Sequence, residues 1–350
     1  MSDKIKVALI GIGNCACTLI QGISYYSEDD SRNGLWHEII GGYRIKDLEI
    51  VGAYDINSKK TGVDLSEAIF SKPNVAERCL DLKPLNVNVN RGILYDELTK
   101  YLKNSLDVDA WEPNDIIDEL KRSKVDVLVN LISSGLDNTS KAYSEIAIKS
   151  KCCFINATPS SIASDKAIVD KFKEANLVVA GDDLMSQFGG TAFHKGILDF
   201  MHSRGINILK SYQLDVGGGT ETLNTLDEDI KFMKRDMKTK VISMELPYKF
   251  ETITGTTDYV DYMQNNRTSY YWIQGDGFLG SPIMADIYLC TSDGPNAGNI
   301  LLDVIRAVKV SKDRGDFGAP LEICGYGFKN TLKPVKLKDA HQNFTLKYVN

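Results

Sequence analysis

The hydrophobic pattern of this chain changes character near residue 189. Before that point, short apolar blocks alternate with amphipathic stretches. Lys4 to Ile10 (KIKVALI) predicts a strand, Gly11 to Asn14 a turn, and Cys15 to Ser24 a helix. Tyr25 to Asp47 is long and mostly polar, with loop chemistry in EDDSRNG. Leu48 to Tyr54 (LEIVGAY) predicts a second strand, closed by Asp55, and Ser66 to Phe70 begins a helical stretch. Val125 to Ile132 (VDVLVNLI) is nearly continuous in apolar residues, as expected of a strand covered on both faces. Helices are expected on either side of it, over Pro113 to Ser123 and Lys141 to Lys149. Further strands are expected at Cys153 to Asn156 and Leu177 to Ala180. This alternation, running to about residue 185, predicts a parallel α/β sheet.

Beyond Gly189 the segments lengthen. Ile206 to Val216, Val241 to Phe250 and Tyr270 to Cys290 alternate apolar with polar residues and are rich in β-branched and aromatic types. They predict an α+β insertion built on an open sheet. Asn299 to Lys312 then reads as an amphipathic helix, with Ile300, Leu301, Val304, Ile305 and Val308 on one face. The Lys-rich tail after Asn330 reads as peripheral.

Composition narrows the function classes. With 41 Lys and Arg against 47 Asp and Glu, the net charge is -6, so no basic domain for nucleic acid is expected. No apolar run approaches the roughly 20 residues of a membrane span, and Met1 to Lys6 lacks the apolar region of a secretory leader. The seven cysteines are odd in number and form no C-x-x-C, which argues against a disulfide framework or zinc ribbon. Adjacent Cys152 and Cys153 in KCCFIN read as small buried hydrophobes, and the expected compartment is the reducing cytoplasm. His37, His194, His202 and His341 show no metal-ligand spacing, so no metal site is expected.

The sharpest local motif follows the first strand. Gly11-Ile12-Gly13-Asn14-Cys15-Ala16 is G-x-G-x-x-A between a strand and a helix. Gly11 permits the tight turn, Gly13 lets backbone approach a pyrophosphate, and Ala16 lets the helix pack close. The helix N-terminus offers free N–H groups to the phosphates. Asp55 ends the second strand and suits a ribose hydroxyl. It lies well beyond the usual spacing of about 20 residues, so the polar insertion must loop out. Asp64 is a second candidate, with a helix N-cap as its equally weighted alternative.

Lysines supply a second pattern. Lys231, Lys234 and Lys238 fall at i, i+3 and i+7 and can share a helix face. That face is either solvated or binds an anion and moves protons. The Gly217-Gly218-Gly219 turn precedes it. Asp182 and Asp183 follow a strand, at the edge where ligands bind in open α/β sheets.

Together the blocks IGIGNCACTLIQGISYY, GAYDINSKKTGVDLSEAIF, NATPSSIASD, GDDLMSQ, LDVGGGTETLN, SDGPNAGN and KVSKDRG resemble the short bacterial and archaeal type of myo-inositol-1-phosphate synthase. The resemblance runs from about residue 4 to 325. It implies a Rossmann-like NAD-binding domain over 1–188 and 296–350, with an inserted α+β catalytic and oligomerisation domain over 189–295. It further implies oxidation of glucose 6-phosphate at C5 by tightly held NAD, enolisation, an intramolecular aldol step and return of the hydride. Cofactor contacts would fall on Gly11, Gly13, Asn14, Cys15, Ala16, Asp55, Asp64, Ser123, Ser133, Tyr143, Asp183 and Ser186. Lys234, Lys238, Lys312 and Asp183 would be catalytic, and Ser186, Glu221 and Asn296 would meet substrate. A homotetramer is implied. A cation beside NAD stays open, because relatives differ in needing one.

Several positions depart from the family pattern. Met185 stands where Lys is usual, Gly219 where Asn is, and Glu221 where Asp is. The S-K-x-I-S-K element reads Met233-Lys234-Arg235-Asp236-Met237-Lys238, and a further basic position falls near Gly277. Arg235 is a candidate replacement for one lost cation. Alternatives to the inositol phosphate synthase are a cyclase for another sugar phosphate, an NAD-dependent sugar-phosphate dehydrogenase, and a non-catalytic NAD-binding protein.

Overall fold

A computed structural model describes residues 4–28, 32–110 and 112–349. Asp29, Asp30 and Ser31 of the expected polar loop lie outside the described residues.

The first sheet is parallel and six-stranded. Its strands are β1 (Ile5–Ile10), β2 (Leu48–Asp55), β3 (Val89–Arg91), β4 (Val127–Asn130), β5 (Cys153–Asn156) and β6 (Val179–Ala180), in the order β3-β2-β1-β4-β5-β6. That order reverses direction between β1 and β4, which opens a crevice at the carboxyl edge there. Three-residue β3 has no alternation to betray it in the sequence. The helices of this half are α1 (Asn14–Glu28), α2 (Leu65–Ala68), α3 (Lys100–Ser105), α4 (Pro113–Ser123), α5 (Asp137–Ser150) and α6 (Lys166–Glu174).

The second sheet is mixed and four-stranded: β7 (Asn207–Gly217), β8 (Glu251–Tyr259), β9 (Asn266–Asp276) and β10 (Pro282–Ser292), ordered β10-β9-β7-β8. α7 (Gly190–Ser203) precedes it. α8 (Thr220–Asn224) and α9 (Glu228–Ser243) lie between β7 and β8. Leu198 and Met201 of α7 and Ile242 of α9 pack on Ile208 and Ile273, so one sheet face is covered. The expected strand-like segment at Val241 to Phe250 is instead the end of α9 and a turn. Its apolar residues Ile242 and Leu246 serve that helix–sheet core. On the other sheet face Tyr212 stacks on Trp272, and Met284 and Tyr288 are exposed.

The chain then returns to the first sheet through α10 (Asp293–Arg314), α11 (Leu321–Gly327) and α12 (Leu337–Phe344). α10 packs along α1 and pins the polar insertion. Fully buried Arg306 donates to the carbonyls of His37, Glu38 and Tyr43 and pairs with Asp303 at 2.8 Å. The insertion thus loops out and β2 still runs beside β1. The tail is not peripheral as expected. Phe344 stacks on Tyr326 at 3.8 Å and is fully buried, because α11 leaves an apolar face that α12 covers.

Candidate active site

One continuous cleft runs from the β1–α1 turn to the lysines of α9. At its nucleotide end Gly11 has φ +82°, and a Cβ there would meet the Leu131 and Ile132 backbone at 2.9 Å. Only glycine fits that turn. A Cβ on Gly13 would meet nothing within 4 Å, so the space over this backbone is open to a ligand. The first-turn amides of α1 at Asn14, Cys15 and Ala16 have no intrahelical acceptor. Asn14 and Cys15 line the cleft, whereas Ala16 is fully buried against the sheet. Asn14 Oδ1 accepts from the backbone N–H groups of Val75 and Ala76 at 2.8 and 3.0 Å, tying the following loop to the turn. Cys15 is no nucleophile. Burial, then the Asp293 and Glu221 carboxylates, push its thiol up to about 12.

Asp55 lines the cleft at the end of β2, and its Oδ2 accepts from Ile12 N at 2.7 Å. Lys60, buried beside it at 3.7 Å, donates to the Ile12 carbonyl at 2.6 Å. Ser133 lines the cleft after β4. Tyr143 does so from α5, and its hydroxyl accepts from Ile93 N at 2.8 Å. These features form a cradle with the shape and donors a dinucleotide needs. Asp64 is not part of it. It does not line the cleft and caps α2 through Oδ1, which accepts from Ser66 N at 2.9 Å and from Leu85 N at 3.1 Å. Ser123 is also remote. It ends α4 just before β4, at the opposite edge of a parallel sheet.

The other end of the cleft is charged. Lys234 and Lys238 sit one turn apart on α9 and both face in. Lys234 pairs with Glu221 of α8, which also accepts from the Ser134 hydroxyl. Lys238 pairs with Asp215 of β7 at 2.8 Å. Lys231 instead donates to the Thr257 carbonyl at 3.0 Å, away from the cleft. Asp183, at φ +58°, follows β6 and pairs at 2.7 Å with Lys329. Burial disfavours the Lys329 ammonium, and the charges of Lys238 and Lys234 add to this, so it titrates below an ordinary lysine. Ser186 lines the cleft beside Gly189 and Gly190, at the start of α7.

Two expected residues are replaced by neighbours. Lys312 lies far along α10, where it faces Cys152 and Cys153 at the start of β5, the wrong edge of the sheet. The third lysine at the charged end of the cleft is Lys329. Asn296 turns back to the Ser292 carbonyl at 3.1 Å, and Asp293 and Gly294 line the cleft instead. Asp293 is held by Arg267 Nη2 at 2.7 Å. Arg267, at the start of β9, was not singled out in the sequence. No motif marks it, but pairing β9 with β7 brings it to Gly217.

The departures from the family pattern also resolve. Met185 is buried, outside the cleft, with its N–H on the Gly327 carbonyl. Gly219 lines the cleft at an ordinary φ of -80°, with Asn14 Nδ2 3.6 Å from its missing Cβ. Gly277 sits in the distant β9–β10 turn, and exposed Arg235 packs against Gly255 of β8. Neither adds a cation to the cleft. Among the described residues no group of three or more His, Cys, Asp or Glu could hold a metal ion, and no helix is long and apolar enough to cross a membrane.

The strand order, the open Gly13 turn and the lysine–carboxylate pairs beside it define an enzyme of the dinucleotide-fold class. Comparison with known proteins narrows this. The family described as Myo-inositol-1-phosphate synthase matches residues 189–294. An inositol-3-phosphate synthase of Mycobacterium tuberculosis is 35% identical over 344 residues, covering 97% of this chain and 93% of that protein. One of Mycolicibacterium smegmatis is 36% identical, covering 92% and 91%. A crystal structure of inositol-3-phosphate synthase from Caenorhabditis elegans superposes with a TM-score of 0.81 at 13% identity, over 98% of this chain and 85% of that one, and bears on the fold alone. The chain belongs to the myo-inositol-1-phosphate synthase family.

Proposed function

We propose that the protein cyclises D-glucose 6-phosphate to 1D-myo-inositol 3-phosphate, with NAD as an internal redox cofactor. The observation that carries this reading is the convergence of Lys234, Lys238 and Lys329, each on its own carboxylate, at one end of a dinucleotide cleft. Gly11, Gly13 and the first-turn amides of Asn14 and Cys15 would hold the pyrophosphate, and Asp55 a ribose hydroxyl. When bound, NAD supplies a hydride acceptor and later returns the hydride, so the net reaction is an isomerisation.

The chain's own residues do the rest. Lys329 Nζ, whose ammonium form is disfavoured, takes a proton from the substrate and passes it to or from Asp183. Lys234, shared with Glu221, stabilises negative charge that develops on the sugar oxygens. The first-turn amides of α7 at Gly190 and Thr191, with Ser186, Lys238 and Arg267, form the end that receives the phosphate. The aromatic outer face of the second sheet supports assembly into a homotetramer.

The test is carbon and phosphorus NMR of the purified protein with NAD and labelled glucose 6-phosphate. A cyclic inositol phosphate with no net NADH is expected. Accumulating NADH would reject the cyclase in favour of a dehydrogenase, and an unchanged sugar would reject this substrate.

A further inference from the structure

The carboxylates that hold the cleft's cations differ in one respect. Glu221 is 43% exposed in its side chain, whereas Asp215 is 1% exposed. Asp215 lies on the inner face of the second sheet, roofed by the start of α7. A Cβ on Gly190 would collide with the Gln213 amide and come within 3.3 Å of Asp215 Oδ1. Both carboxylate oxygens are engaged. Oδ1 accepts from Ser269 Oγ at 2.7 Å and Gln213 Nε2 at 2.8 Å, and Oδ2 accepts from Lys238 Nζ. Arg267 Nη1 stands 3.8 Å from the same Oδ2.

Arg267 spends Nε on Asp293, and Nη2 on Asp293 and Thr222. Among the described residues its Nη1 makes no hydrogen bond, and Lys238 Nζ makes only the one to Asp215. Free N–H groups of two cations therefore meet beside one buried carboxylate and next to the unpaired amides of α7.

We propose that Asp215 is a positioning residue for the phosphate end of the substrate: it fixes Lys238 and Arg267 so that their spare N–H groups and the α7 amides close on one tetrahedral dianion. This rests on the reading of that end given above. A carboxylate with these partners stays ionised. Burial opposes the charge, but Lys238 and Arg267 hold the group well below the usual carboxylate range. The other charged and titratable groups nearby are accounted for, among them the Tyr271 phenol, which burial keeps protonated and which donates to the Gly190 carbonyl. Lys234 lies on Glu221, Lys329 on Asp183, and Asp293 on Arg267. His194 of α7 is kept neutral by burial, which pushes it down to about 4. If Asp215 loses its charge, Lys238 becomes a buried ammonium without a counter-charge, which is costly. It then gives up its proton or leaves the site.

The probe is inorganic sulfate, whose charge is constant across the working pH range, measured by calorimetry on the whole protein. Wild type should bind it with an affinity that is flat from pH 6 to 9. Asp215→Asn should bind at least about tenfold more weakly, and the deficit should grow as pH rises. A merely structural role would weaken binding without that pH dependence. Lys238→Met and the double variant Lys238→Met/Asp215→Asn complete a cycle, and Asp215→Asn should add little once Lys238 is gone. The double variant removes both buried charges together, so it serves if the single one does not fold. Equal or tighter sulfate binding in Asp215→Asn, or a full effect in the Lys238→Met background, overturns the assignment. The readout needs no turnover. An inactive wild type that still shows the sulfate pattern would reject glucose 6-phosphate and keep Asp215 in its role.

Discussion

Lys329 sits in the stretch KNTLKP, which offers no period, no glycine turn and no partner within reach along the chain. Its chemistry arises from three contacts. Its ammonium is buried, lies on Asp183 and is crowded by Lys238 and Lys234. Lys329→Ala should lower turnover by about 10²- to 10⁴-fold, the usual worth of a positioned acid or base. Bound NAD should be nearly unchanged, while the melting temperature should fall, because Asp183 loses its counter-charge. Steady-state assays beside a cofactor content measurement check this, and turnover within threefold of wild type would remove Lys329 from the mechanism. The sequence-predicted residues that line the cleft share a property that Lys329 lacks. Gly13, Lys234 and Lys238 each belong to a local pattern with a chemical reason. Lys329 and Arg267 reach the cleft only through long-range pairing, and Lys312 looked suitable because a helix position does not tell which sheet edge it faces.

Among elements, the segment after β5 shows how a buried carboxylate shapes a wall of the cleft. Asp182 accepts from the backbone N–H groups of Ile162, Ala163 and Ser164, and from Asn156 Nδ2. Residues 157–164 are thereby held beneath the cleft. Burial nevertheless pushes Asp182 up to about 6, because desolvation outweighs these donors. The folded value lies above the unfolded one, so the folded chain holds the extra proton between about pH 4 and 6. This group's contribution to stability is present below that window and is lost as pH rises through it, by up to about 3 kcal/mol. Asp215, depressed rather than raised, acts only below the window. Urea unfolding of wild type and Asp182→Asn at pH 4.5 and 6.5 should show the extra decline in wild type alone. An equal decline in both would sink the idea. The element boundaries were legible to within two residues in β1, β2 and β4, where apolar spacing decided them, whereas α10 begins six residues before the expected Asn299. They failed where tertiary packing decided them, as at the end of α9 and in α12.

At the scale of the whole molecule, the doubly wound sheet was readable from its alternation, and the inserted sheet from the change in pattern after Gly189. What could not be read was how the two halves share one cleft, because that depends on α10 returning along α1 and on β9 meeting β7. One result of that meeting is that cations and anions in the cleft come matched. Lys234, Lys238, Lys329 and Arg267 face Glu221, Asp215, Asp183 and Asp293, and Lys60 faces Asp55. The cleft therefore casts little positive field into solvent, and the chain as a whole carries -6. An anionic sugar is not drawn in from a distance, as it would be by a cationic funnel. Raising ionic strength from about 20 to 200 mM, which shortens the screening length severalfold, should leave kcat/KM level or slightly higher. A steep fall would show that an attractive field exists after all. Capture is then a matter of contact, in which the incoming phosphate takes the N–H groups that the carboxylates leave spare. Neutral look-alikes are turned away at the point of touch, and the traffic of the enzyme is governed by fit instead of by reach.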